Sequence, residues 1–496
     1  MDIYKEFLNS AKKQPDKIAL IHKDKKVKFS QAAKDVNRLA YAFKEMGMKK
    51  GEKLAVFLPN SIEYVYTYLS ALGLGITVVP IDISFKPEEL ENILSHAEVS
   101  YLVAEKALKF NFPYFKRTIA DIHKLIDASE EKPIDVPIDE EDRAIIFYTS
   151  GTTGRPKAVP LTYRHFNSPL GSIKYALKDY EIYNVLACYV PLSHSGGFIY
   201  PLLLANVGSS LVLGERFSPI RFLKDIETYK VTISWVPPSI LEAVLRSKGI
   251  DTLSLKSLKC IVYFGAPASP GLLKEFEERF PHVNAITGWG PTESAPPNVV
   301  LSPDDPKEKR FKRGIMGKVP PWIKTKIVDG KGNSLPNGQT GEILLKGYFV
   351  MPGYYKEPEL TEEVIKDGWL YTGDLGYLDE EGYLYIVGRK KDVIITGGLN
   401  VYPNDVEFVI SEHPKVAEVA VVGVPDELRG EVVKAVIVPK EKLKKEEIIF
   451  YCRKRLANYK VPKIIEFRKS LPKTALGKIK KAELINECIE ENPQEV

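Results

Sequence analysis

The sequence predicts an α/β fold in three successive regions, because its pattern of secondary structure changes twice along the chain. Helical and strand patterns alternate over residues 2–128 and 185–264, which is typical of parallel sheets covered by helices. From about Pro306 the pattern changes to short strands joined by turns, and after residue 390 to mixed helices and strands. A chain of 496 residues suits about three packed units of this kind.

The first region contains a repeated strand-helix-strand unit. Apolar residues recur at helical spacing between Gln31 and Met46, with Ser30 as the expected N-cap and Gly47 as the expected stop. A strand, a helix and a second strand follow at residues 53–58, 61–74 and 76–80. Repetition of this unit predicts a parallel sheet.

The second region repeats the pattern, and several of its strands end in segments rich in Pro and Gly. Strands are predicted at residues 185–189, 210–213, 231–236 and 260–264, and helices at 220–229 and 238–246. Ligands of open α/β sheets gather beyond the carboxyl ends of the strands. The segments at these ends are residues 191–194, 237–238 and 265–267.

The remaining elements predict two smaller units. Strands at residues 325–328, 342–345 and 382–387 indicate a β-rich subdomain over about 306–390. Elements at residues 405–411, 416–424, 432–438 and 446–456 indicate a small α+β domain. We therefore expect an N-terminal domain over 1–390, with its α/β part ending at about 305, and a C-terminal domain over 391–496.

Composition narrows the function classes. With 44% hydrophobic and 27% charged residues the chain is typical of globular proteins, and its net charge of +5 is too balanced to indicate a nucleic-acid partner. Four cysteines lack the paired spacing of a zinc site or a disulfide framework. No apolar signal core and no membrane-spanning apolar run occurs, so we expect a cytoplasmic protein without a transmembrane segment.

The most informative stretch runs from Tyr148 to Pro160 and is rich in Gly, Ser and Thr. It follows the apolar run at residues 144–147, which predicts a loop that leaves a buried strand. Glycine lets backbone N–H groups point inward and hydroxyl groups add donors, a combination that suits an oligophosphate. Pro156 before Lys157 excludes the Walker loop. Composition alone leaves an ordinary polar turn open.

The order Thr-Ser-Gly-Thr-Thr-Gly-Arg-Pro-Lys in this loop resembles the signature of the adenylate-forming superfamily, which includes the AMP-forming acyl-CoA synthetases. Further motifs that resemble this family follow in the family's order, at residues 191–194, 288–293, 341–347, 371–376, 388–392 and 472–479. Their joint occurrence identifies the chain as a member of the superfamily. Fold and function then follow by analogy.

The resemblance implies both a fold and a reaction. The fold is a large N-terminal domain of stacked, mostly parallel α/β subdomains with a β-barrel-like subdomain, followed by a small mobile α+β lid. In the reaction, a carboxylate attacks the α-phosphorus of ATP to give acyl-adenylate and pyrophosphate, and a thiol then displaces AMP. The expected partners are a small carboxylic acid, ATP, Mg²⁺ and coenzyme A, with no nucleic acid.

The resemblance also assigns the nucleotide to residues of several motifs. Glu293 would bind Mg²⁺, with Thr292 beside it at the α-phosphate. Trp289 takes the position that stacks on adenine, although a core role is the alternative. Asp374 would accept the ribose hydroxyls, and Arg389 would reach the ribose or a phosphate. The expected nucleotide-binding residues are Thr149, Ser150, Gly151, Thr152, Thr153, Gly154, Lys157, Gly265, Ala266, Pro267, Trp289, Gly290, Asp374 and Arg389.

Lys478 is the residue that the resemblance implies for catalysis of adenylation. A cation between the carboxylate and the α-phosphate would lower the repulsion of two anions in the transition state. Thr292, Glu293 and His194 complete the expected catalytic set, and for His194 a structural role in a loop is equally open.

Three further residues are assigned to movement of the lid and to the thiol. Lys391 matches the family's hinge position. Gly397 and Gly398 resemble the lid loop that lines the thiol tunnel, with a simple hairpin turn as the alternative. Such a lid fits an enzyme that exchanges ligands between two half-reactions.

The sequence defines the acceptor thiol and the substrate acid less well than it defines the nucleotide site. Trp-Gly-Pro-Thr-Glu stands where most acyl-CoA synthetases carry Tyr-Gly-Met-Thr-Glu, which leaves a carrier-protein phosphopantetheine open beside CoA. Amino-acid-activating relatives hold the substrate ammonium with an aspartate, and the corresponding stretch here, residues 235–239, contains no acid. The resemblance therefore implies an uncharged acyl group, from a fatty or aromatic acid. Gly196, Gly197 and Ala266 predict an open pocket. A nucleotide-binding module without catalysis is a further alternative, and a homodimer is left open.

Overall fold

A computed structural model of the chain describes residues 1–132, 134–149, 156–178, 180–247, 250, 253–266, 268–474 and 478–491. Within these residues the helices are α1 (Ile3–Lys13), α2 (Phe29–Glu45), α3 (Ile62–Gly73), α4 (Pro87–Ala97), α5 (Ile122–Ala128), α6 (Asn167–Ala176), α7 (Ile199–Val207), α8 (Pro219–Tyr229), α9 (Pro238–Leu245), α10 (Pro270–Arg279), α11 (Lys307–Arg310), α12 (Pro358–Val364), α13 (Pro403–Ser411), α14 (Lys445–Arg453) and α15 (Lys481–Glu491).

The strands belong to four sheets. They are β1 (Ile18–His22), β2 (Lys25–Lys28), β3 (Lys53–Phe57), β4 (Thr77–Pro80), β5 (Tyr101–Ala104), β6 (Arg117–Ile119), β7 (Arg143–Thr149), β8 (Lys157–Thr162), β9 (Val185–Cys188), β10 (Ser210–Leu213), β11 (Ile233–Val236), β12 (Cys260–Tyr263), β13 (Asn284–Trp289), β14 (Val299–Val300), β15 (Ile315–Lys318), β16 (Lys324–Val328), β17 (Gly341–Lys346), β18 (Ile365–Lys366), β19 (Trp369–Leu378), β20 (Tyr383–Arg389), β21 (Ile394–Thr396), β22 (Leu399–Val401), β23 (Val416–Asp426), β24 (Gly430–Pro439) and β25 (Ile464–Phe467).

Two mostly parallel sheets form the first part of the chain, as the alternating pattern predicts. One sheet has the order β14-β13-β12-β11-β9-β10-β1-β2 and the other β6-β5-β3-β4-β7-β8. Only their edge pairs, β13 with β14, β1 with β2 and β7 with β8, are antiparallel among the described strands. The short strands β4 and β10 are buried at every residue, because helices cover both faces of a parallel sheet.

A layer of helices lies between the two sheets and unites their inner faces in one core. Leu54 and Val78 from one sheet, Leu69 from α3, and Leu211 and Val262 from the other sheet belong to a single hydrophobic cluster. Helices α8, α9 and α10 cover the outer face of the larger sheet, and α4 covers the outer face of the smaller one. Each fully buried large apolar side chain contributes about 1.5–3 kcal/mol, so burial between the five layers stabilises the two sheets.

The later regions form two smaller sheets. Strands β15 to β20 make an antiparallel sheet with the path β15-β20-β19-β17-β16, to which β18 adds at β19. Strands β21 to β25 make a mixed sheet with α13 and α14 packed on it through residues such as Val406 and Ile448. The predicted change from α/β to β-rich and then to α+β structure is therefore confirmed. Among the described residues, no helix is sufficiently long and apolar to cross a membrane.

Ser30 does not cap α2, contrary to the sequence prediction. The helix begins at Phe29, and Lys28 at the N-cap makes no side-chain capping bond. Phe29 is fully buried and its ring lies 6.0 Å from that of Phe7. Burial of an aromatic ring contributes more than the roughly 1 kcal/mol of a capping bond, so packing sets the start of the helix.

The loop predicted from Tyr148 to Pro160 is also shorter than expected. Strand β7 continues to Thr149, and β8 begins at Lys157, directly opposite Thr149 in an antiparallel pair. Pro160 lies inside β8, which is tolerated because β8 is the edge strand of its sheet. The connection between these strands, residues 150–155, lies outside the described residues.

Candidate active site

The motif that follows β13 forms a tightly held turn at the carboxyl edge of the larger sheet. Strand β13 ends at Trp289, and Thr292–Ser294 form a single helical turn. Asn298 secures this turn, since its backbone N–H donates to the Trp289 carbonyl at 2.8 Å and its side-chain amide donates to the Ser294 carbonyl at 2.7 Å. A side chain at Gly290 would meet the Asn298 amide oxygen at 2.5 Å, so glycine is required there.

Asp374 lies at the centre of a network that joins three motifs. The Trp289 indole N–H donates to its Oδ2 at 2.9 Å, and the Arg389 Nε donates to its Oδ1 at 2.8 Å. Asp374 and Arg389 are cross-strand neighbours on β19 and β20, and the Asp374 side chain is only 7% exposed. Three of the predicted nucleotide-binding residues are therefore in direct contact.

Glu342 supports this network from β17, although the sequence analysis assigned it no role. Its buried carboxylate accepts the Gly373 N–H at 3.2 Å and the Lys390 ammonium at 2.8 Å. Gly373 has a φ of +71°, which favours glycine. Glu342 thus fixes the backbone just before Asp374.

Glu293 and Lys157 meet at the ring of Tyr354, a residue that sequence reasoning missed. The Tyr354 hydroxyl donates to Glu293 Oε1 at 2.7 Å, and the Lys157 ammonium lies 5.1 Å from the centre of the ring. Burial first, and then the Glu293 carboxylate, raise the pKa of Tyr354 well above its usual value, so the hydroxyl stays protonated and continues to donate. Tyr354 thereby orients one carboxylate oxygen of Glu293.

Thr292 and the segment after β9 are linked across the cleft. The Ser195 and Thr292 hydroxyls lie 2.9 Å apart, which places His194 and its neighbours beside the β13 turn. Burial lowers the pKa of His194, and only Asp82 opposes the shift. His194 is therefore neutral at pH 7. Ser195 was not predicted, because an ordinary serine in a loop carries no local signal of a contact 97 residues away.

The expectation that Gly196 and Gly197 leave a pocket open is wrong. A Cβ at Gly196 would lie 2.5 Å from Cε2 of Phe264, so the phenyl ring fills that place. A Cβ at Gly197 would lie 2.2 Å from the Pro191 carbonyl oxygen, so glycine serves close backbone packing there. Ala266 is exposed at the end of β12, as is Gly265 beside it.

Lys478 reaches the same cleft from the C-terminal part of the chain. Partial removal from water, and then the charge of Arg389, lower its pKa to about 8, while Asp374 and Asp392 act in the opposite direction. Its backbone is fixed by the Thr474 N–H, which donates to the Lys478 carbonyl at 2.8 Å, and by the Thr474 hydroxyl, which accepts the Lys478 N–H at 3.2 Å. The predicted catalytic lysine and ribose-binding aspartate thus lie in one electrostatic environment.

The predicted hinge residue and the predicted tunnel residues are close to each other in sequence but lie in different structural elements. Lys391 is exposed in a short turn directly after β20. Gly397 and Gly398, with φ of +57° and +78°, form the two-residue turn between β21 and β22. Six of the predicted nucleotide-binding residues lie outside the described residues: Ser150, Gly151, Thr152, Thr153, Gly154 and Pro267.

The AMP-binding enzyme profile matches residues 7–355 of this chain, and the profile of the AMP-binding enzyme C-terminal domain matches residues 405–478. The chain belongs to the AMP-binding enzyme family. The resemblance predicted from the motifs is thereby confirmed.

Curated relatives of this AMP-binding enzyme cover nearly its whole length. It is 34% identical to a long-chain-fatty-acid–CoA ligase of Bacillus subtilis (97% of this chain, 93% of the relative) and 35% identical to a 2-succinylbenzoate–CoA ligase of Bacillus cereus (95% of each). It is 32% identical to a feruloyl-CoA synthase of Amycolatopsis (96% of each).

Solved structures of other family members have the same fold. The o-succinylbenzoate CoA synthetase of Bacillus subtilis, in complex with its acyl-adenylate intermediate, superposes with a TM-score of 0.87 at 31% identity and 97% coverage of both chains. An anthranilate CoA ligase in complex with anthranoyl-AMP superposes with a TM-score of 0.90 at 27% identity, over 98% and 97% of the chains. The predicted α/β fold with a small C-terminal domain is confirmed.

Proposed function

We propose that the chain is an AMP-forming acid:CoA ligase, which activates an acid as acyl-adenylate, releases pyrophosphate and then transfers the acyl group to CoA. The observation that carries the proposal is the position of Lys478. It brings a cation from the C-terminal part of the chain within electrostatic reach of Asp374, which is itself paired with Arg389. This is the charge arrangement that a reaction between a carboxylate and a polyphosphate requires.

Asp374, Arg389 and Trp289 would hold the nucleoside. Each oxygen of Asp374 accepts one protein donor, and a carboxylate oxygen can accept a second, so both can take ribose hydroxyls. The indole of Trp289, fixed by its hydrogen bond, would present a flat face to adenine beside Gly265, Ala266 and Pro267. Gly290 would give the α-phosphate close access to the backbone.

Glu293 would hold the magnesium ion, jointly with phosphate oxygens. Among the described residues no group of three or more metal-binding side chains occurs. A single carboxylate with one oxygen free of the Tyr354 hydrogen bond nevertheless fits Mg²⁺, which in phosphate sites takes one or two carboxylates. When bound, this ion neutralises charge on the departing pyrophosphate. Thr149, the loop of residues 150–154 and Lys157 would add donors and a cation on the same side.

Lys478 would act during adenylation. One oxygen of the substrate carboxylate forms a bond to the α-phosphorus, and the bond from that phosphorus to the bridging oxygen of pyrophosphate breaks. The ammonium of Lys478 and the hydroxyl of Thr292 would stabilise the negative charge that the two reacting anions bring together. No proton transfer is needed in this step, so the protonated form of Lys478 is the active one.

The second half-reaction would use a different lid position. The thiol sulfur forms a bond to the acyl carbon, the bond to the AMP oxygen breaks, and the thiol proton passes to solvent. We propose a boundary between domains at residues 390 and 391, with Lys391 as hinge, so that Gly397 and Gly398 replace Lys478 at the cleft. His194, neutral at pH 7, would gate the path between thiol and acid.

Measurement of acid-dependent AMP formation with and without CoA, with mass spectrometry for acyl-CoA, tests the proposal. We expect AMP release that depends on an acid and acyl-CoA that appears only when CoA is added. The acyl-adenylate could instead react with a phosphopantetheine-bearing carrier protein and not with CoA. That result would show that the carrier is the acceptor, an alternative that the Trp-Gly-Pro-Thr-Glu motif leaves open. Nucleotide binding without AMP formation from any acid would indicate a non-catalytic module.

Two finer properties belong to the proposal. We propose a cytoplasmic location, supported by the described cysteines Cys188, Cys260 and Cys452, which are free and buried as in a reducing compartment. A homodimer is the second property, and light scattering after size exclusion tests it. A mass of 55.8 kDa would indicate a monomer.

A further inference from the structure

Two aromatic side chains, on neighbouring strands, lie on the inner face of the larger sheet, close to the candidate active site. Trp235 on β11 is paired with Val262 on β12. Phe264 continues β12 by one residue, since its N–H donates to the Val236 carbonyl at 3.1 Å. Alternation along the strand places Phe264 on the same face as Val262 and Trp235.

Two glycines provide the space for these rings. The Phe264 ring lies where a side chain at position 196 would stand, with Cε2 and Cζ at 2.5 and 3.0 Å from the place of a Cβ. The Trp235 ring lies 3.3 Å from the place of a Cβ at Gly288. The glycines therefore do not leave empty space, because neighbouring aromatic rings occupy it.

Trp235 cannot move away easily. It is 3% exposed, and the Tyr200 hydroxyl bonds to its backbone on both sides, accepting its N–H at 3.0 Å and donating to its carbonyl at 3.1 Å. Phe264 is only half-buried and sits directly before the exposed Gly265. Trp235 is thus fixed and buried, whereas Phe264 stays partly exposed.

The proposed roles of the nucleotide-binding residues leave the side of the cleft next to Phe264 for the acyl group. Asp374 with Arg389 marks the sugar side of the reacting centre, and Glu293 with Lys157 marks the oligophosphate side. The remaining side at Thr292 is formed by Ser195, whose hydroxyl is 2.9 Å from that of Thr292. Gly196, which contacts the Phe264 ring, is the next residue along the chain.

We propose that Phe264, backed by Trp235, limits the acyl site to a compact, uncharged, planar aromatic acid and excludes long alkyl chains. The inference rests on the proposed ligase function and adds the substrate class. A half-exposed phenyl ring offers a flat apolar face for offset stacking of an aryl group. The segment that contains Trp235, residues 235–239, has no charged side chain. The relatives are named for a fatty acid, a succinylbenzoate and a ferulate, so their names do not decide between an aromatic and a long-chain acid.

The test compares wild type with Phe264→Gly across benzoate, octanoate and palmitate, with acid-dependent AMP formation as the rate. For wild type we expect kcat/KM for benzoate to exceed that for palmitate by about 100-fold or more, the range that a steric limit in an apolar pocket supplies. Phe264→Gly should raise kcat/KM for palmitate by about tenfold or more and lower that for benzoate. Phe264→Ala, which also removes the ring, serves in the same way if the glycine variant does not fold. Phe450→Ala, at an exposed ring of the C-terminal part, should change neither.

The outcomes separate this inference from the proposed function. Palmitate used as well as benzoate by wild type, or an unchanged ratio in folded Phe264 variants, would overturn the role of Phe264 while leaving the ligase function intact. Absence of AMP formation from every acid, with ATP binding retained, would overturn the ligase function and this inference together.

Discussion

The two sides of the candidate site are built in opposite ways. On the N-terminal side, Asp374, Glu293 and Trp289 each hold a fixed hydrogen-bond partner from another strand or loop. On the C-terminal side, the ammonium of Lys478 makes no hydrogen bond or ion pair within the described residues, and it is influenced by the nearby charges of Arg389 and Asp374. One side is organised before any substrate binds. The other presents a single cation that nearby charges influence without holding it.

This difference suggests a division of labour. A preorganised carboxylate that binds the sugar, such as Asp374, contacts it equally well in the ground state and the transition state, so its loss should raise KM. An unpaired lysine gains a partner only when the reacting anions come together, so its loss should lower kcat of one half-reaction. Variants on the two sides should therefore have distinct kinetic effects.

The largest effect is expected for Lys478→Ala. Removal of the cation should slow adenylation by about 10²–10³-fold, the usual loss for one transition-state electrostatic contact. Thiolysis of supplied acyl-adenylate should stay within about threefold of wild type, because that step would use the other lid position. The two half-reactions are measured separately by quenched flow.

Lys480→Ala is the matched control, since this lysine lies on the same segment and pairs with Glu483 on the surface. It should leave both half-reactions unchanged. Equal loss of adenylation and thiolysis in Lys478→Ala would remove the proposed role of the lysine and with it the division between the two sides.

Asp374→Asn should give the next largest effect, on the opposite kinetic parameter. The amide loses the charge and one of the two acceptor oxygens, so either Arg389 or Trp289 also loses its hydrogen bond. We expect KM for ATP to rise about 10–100-fold, as for loss of a charged hydrogen bond. The kcat value should change less than KM. Asp304→Asn, at an exposed position, is the control. A fall in kcat at unchanged KM would show that the aspartate acts in the transition state instead.

The charged residues of the site could be predicted because each stands in a motif where the chemistry demands its type. Asp374, Arg389 and Lys478 are examples, and the structure places all three close together. The alternating pattern likewise predicted the parallel sheets, with strand ends shifted by a few residues, as in β11, which begins at Ile233 and not at residue 231. Local sequence carries both kinds of information.

Contacts between distant segments could not be predicted in this way. Tyr354 supports Glu293 from 61 residues away, and a Pro-Gly-Tyr sequence indicates only a turn. Gly196 shows the same difficulty, because a glycine that opens a pocket and one that makes room for Phe264 look alike in a sequence. The identity of the neighbour decides between them, and only the fold supplies it.

The pH dependence of adenylation should depend on the ionisation of Lys478 alone. The lowered pKa of Lys478, about 8, means that the active ammonium is present below pH 8 and is lost as the pH rises through that value. We expect kcat/KM for adenylation to fall about tenfold per pH unit above 8, since this parameter reports the free enzyme. Lys478→Arg should be slower but should lose this fall, because a guanidinium stays charged. The same fall in the arginine variant would assign the titration to another group.

The smallest effect is expected at the contact that joins the two sides, Arg313. Its guanidinium bonds to the Asn404 carbonyl and pairs with Asp405 at 3.1 Å, both at the start of α13, and it lies 4.0 Å from the centre of the Phe408 ring. These contacts hold the C-terminal part in the position that brings Lys478 to the cleft. A partly buried ion pair and a cation–π contact of this kind together contribute about 1 kcal/mol, so Arg313→Met should slow adenylation about fivefold.

The effect of Arg313→Met on the rate of the second half-reaction makes this variant informative. If the contact only favours one lid position, its loss releases the lid for the other, and thiolysis of supplied acyl-adenylate should stay equal or become faster. Arg453→Met, at an exposed residue of α14, should leave both steps unchanged. A fivefold loss in both half-reactions of Arg313→Met would mean that the contact merely supports the fold. The C-terminal side, which carries Lys478, would then be no more mobile than the N-terminal side, which carries the carboxylates.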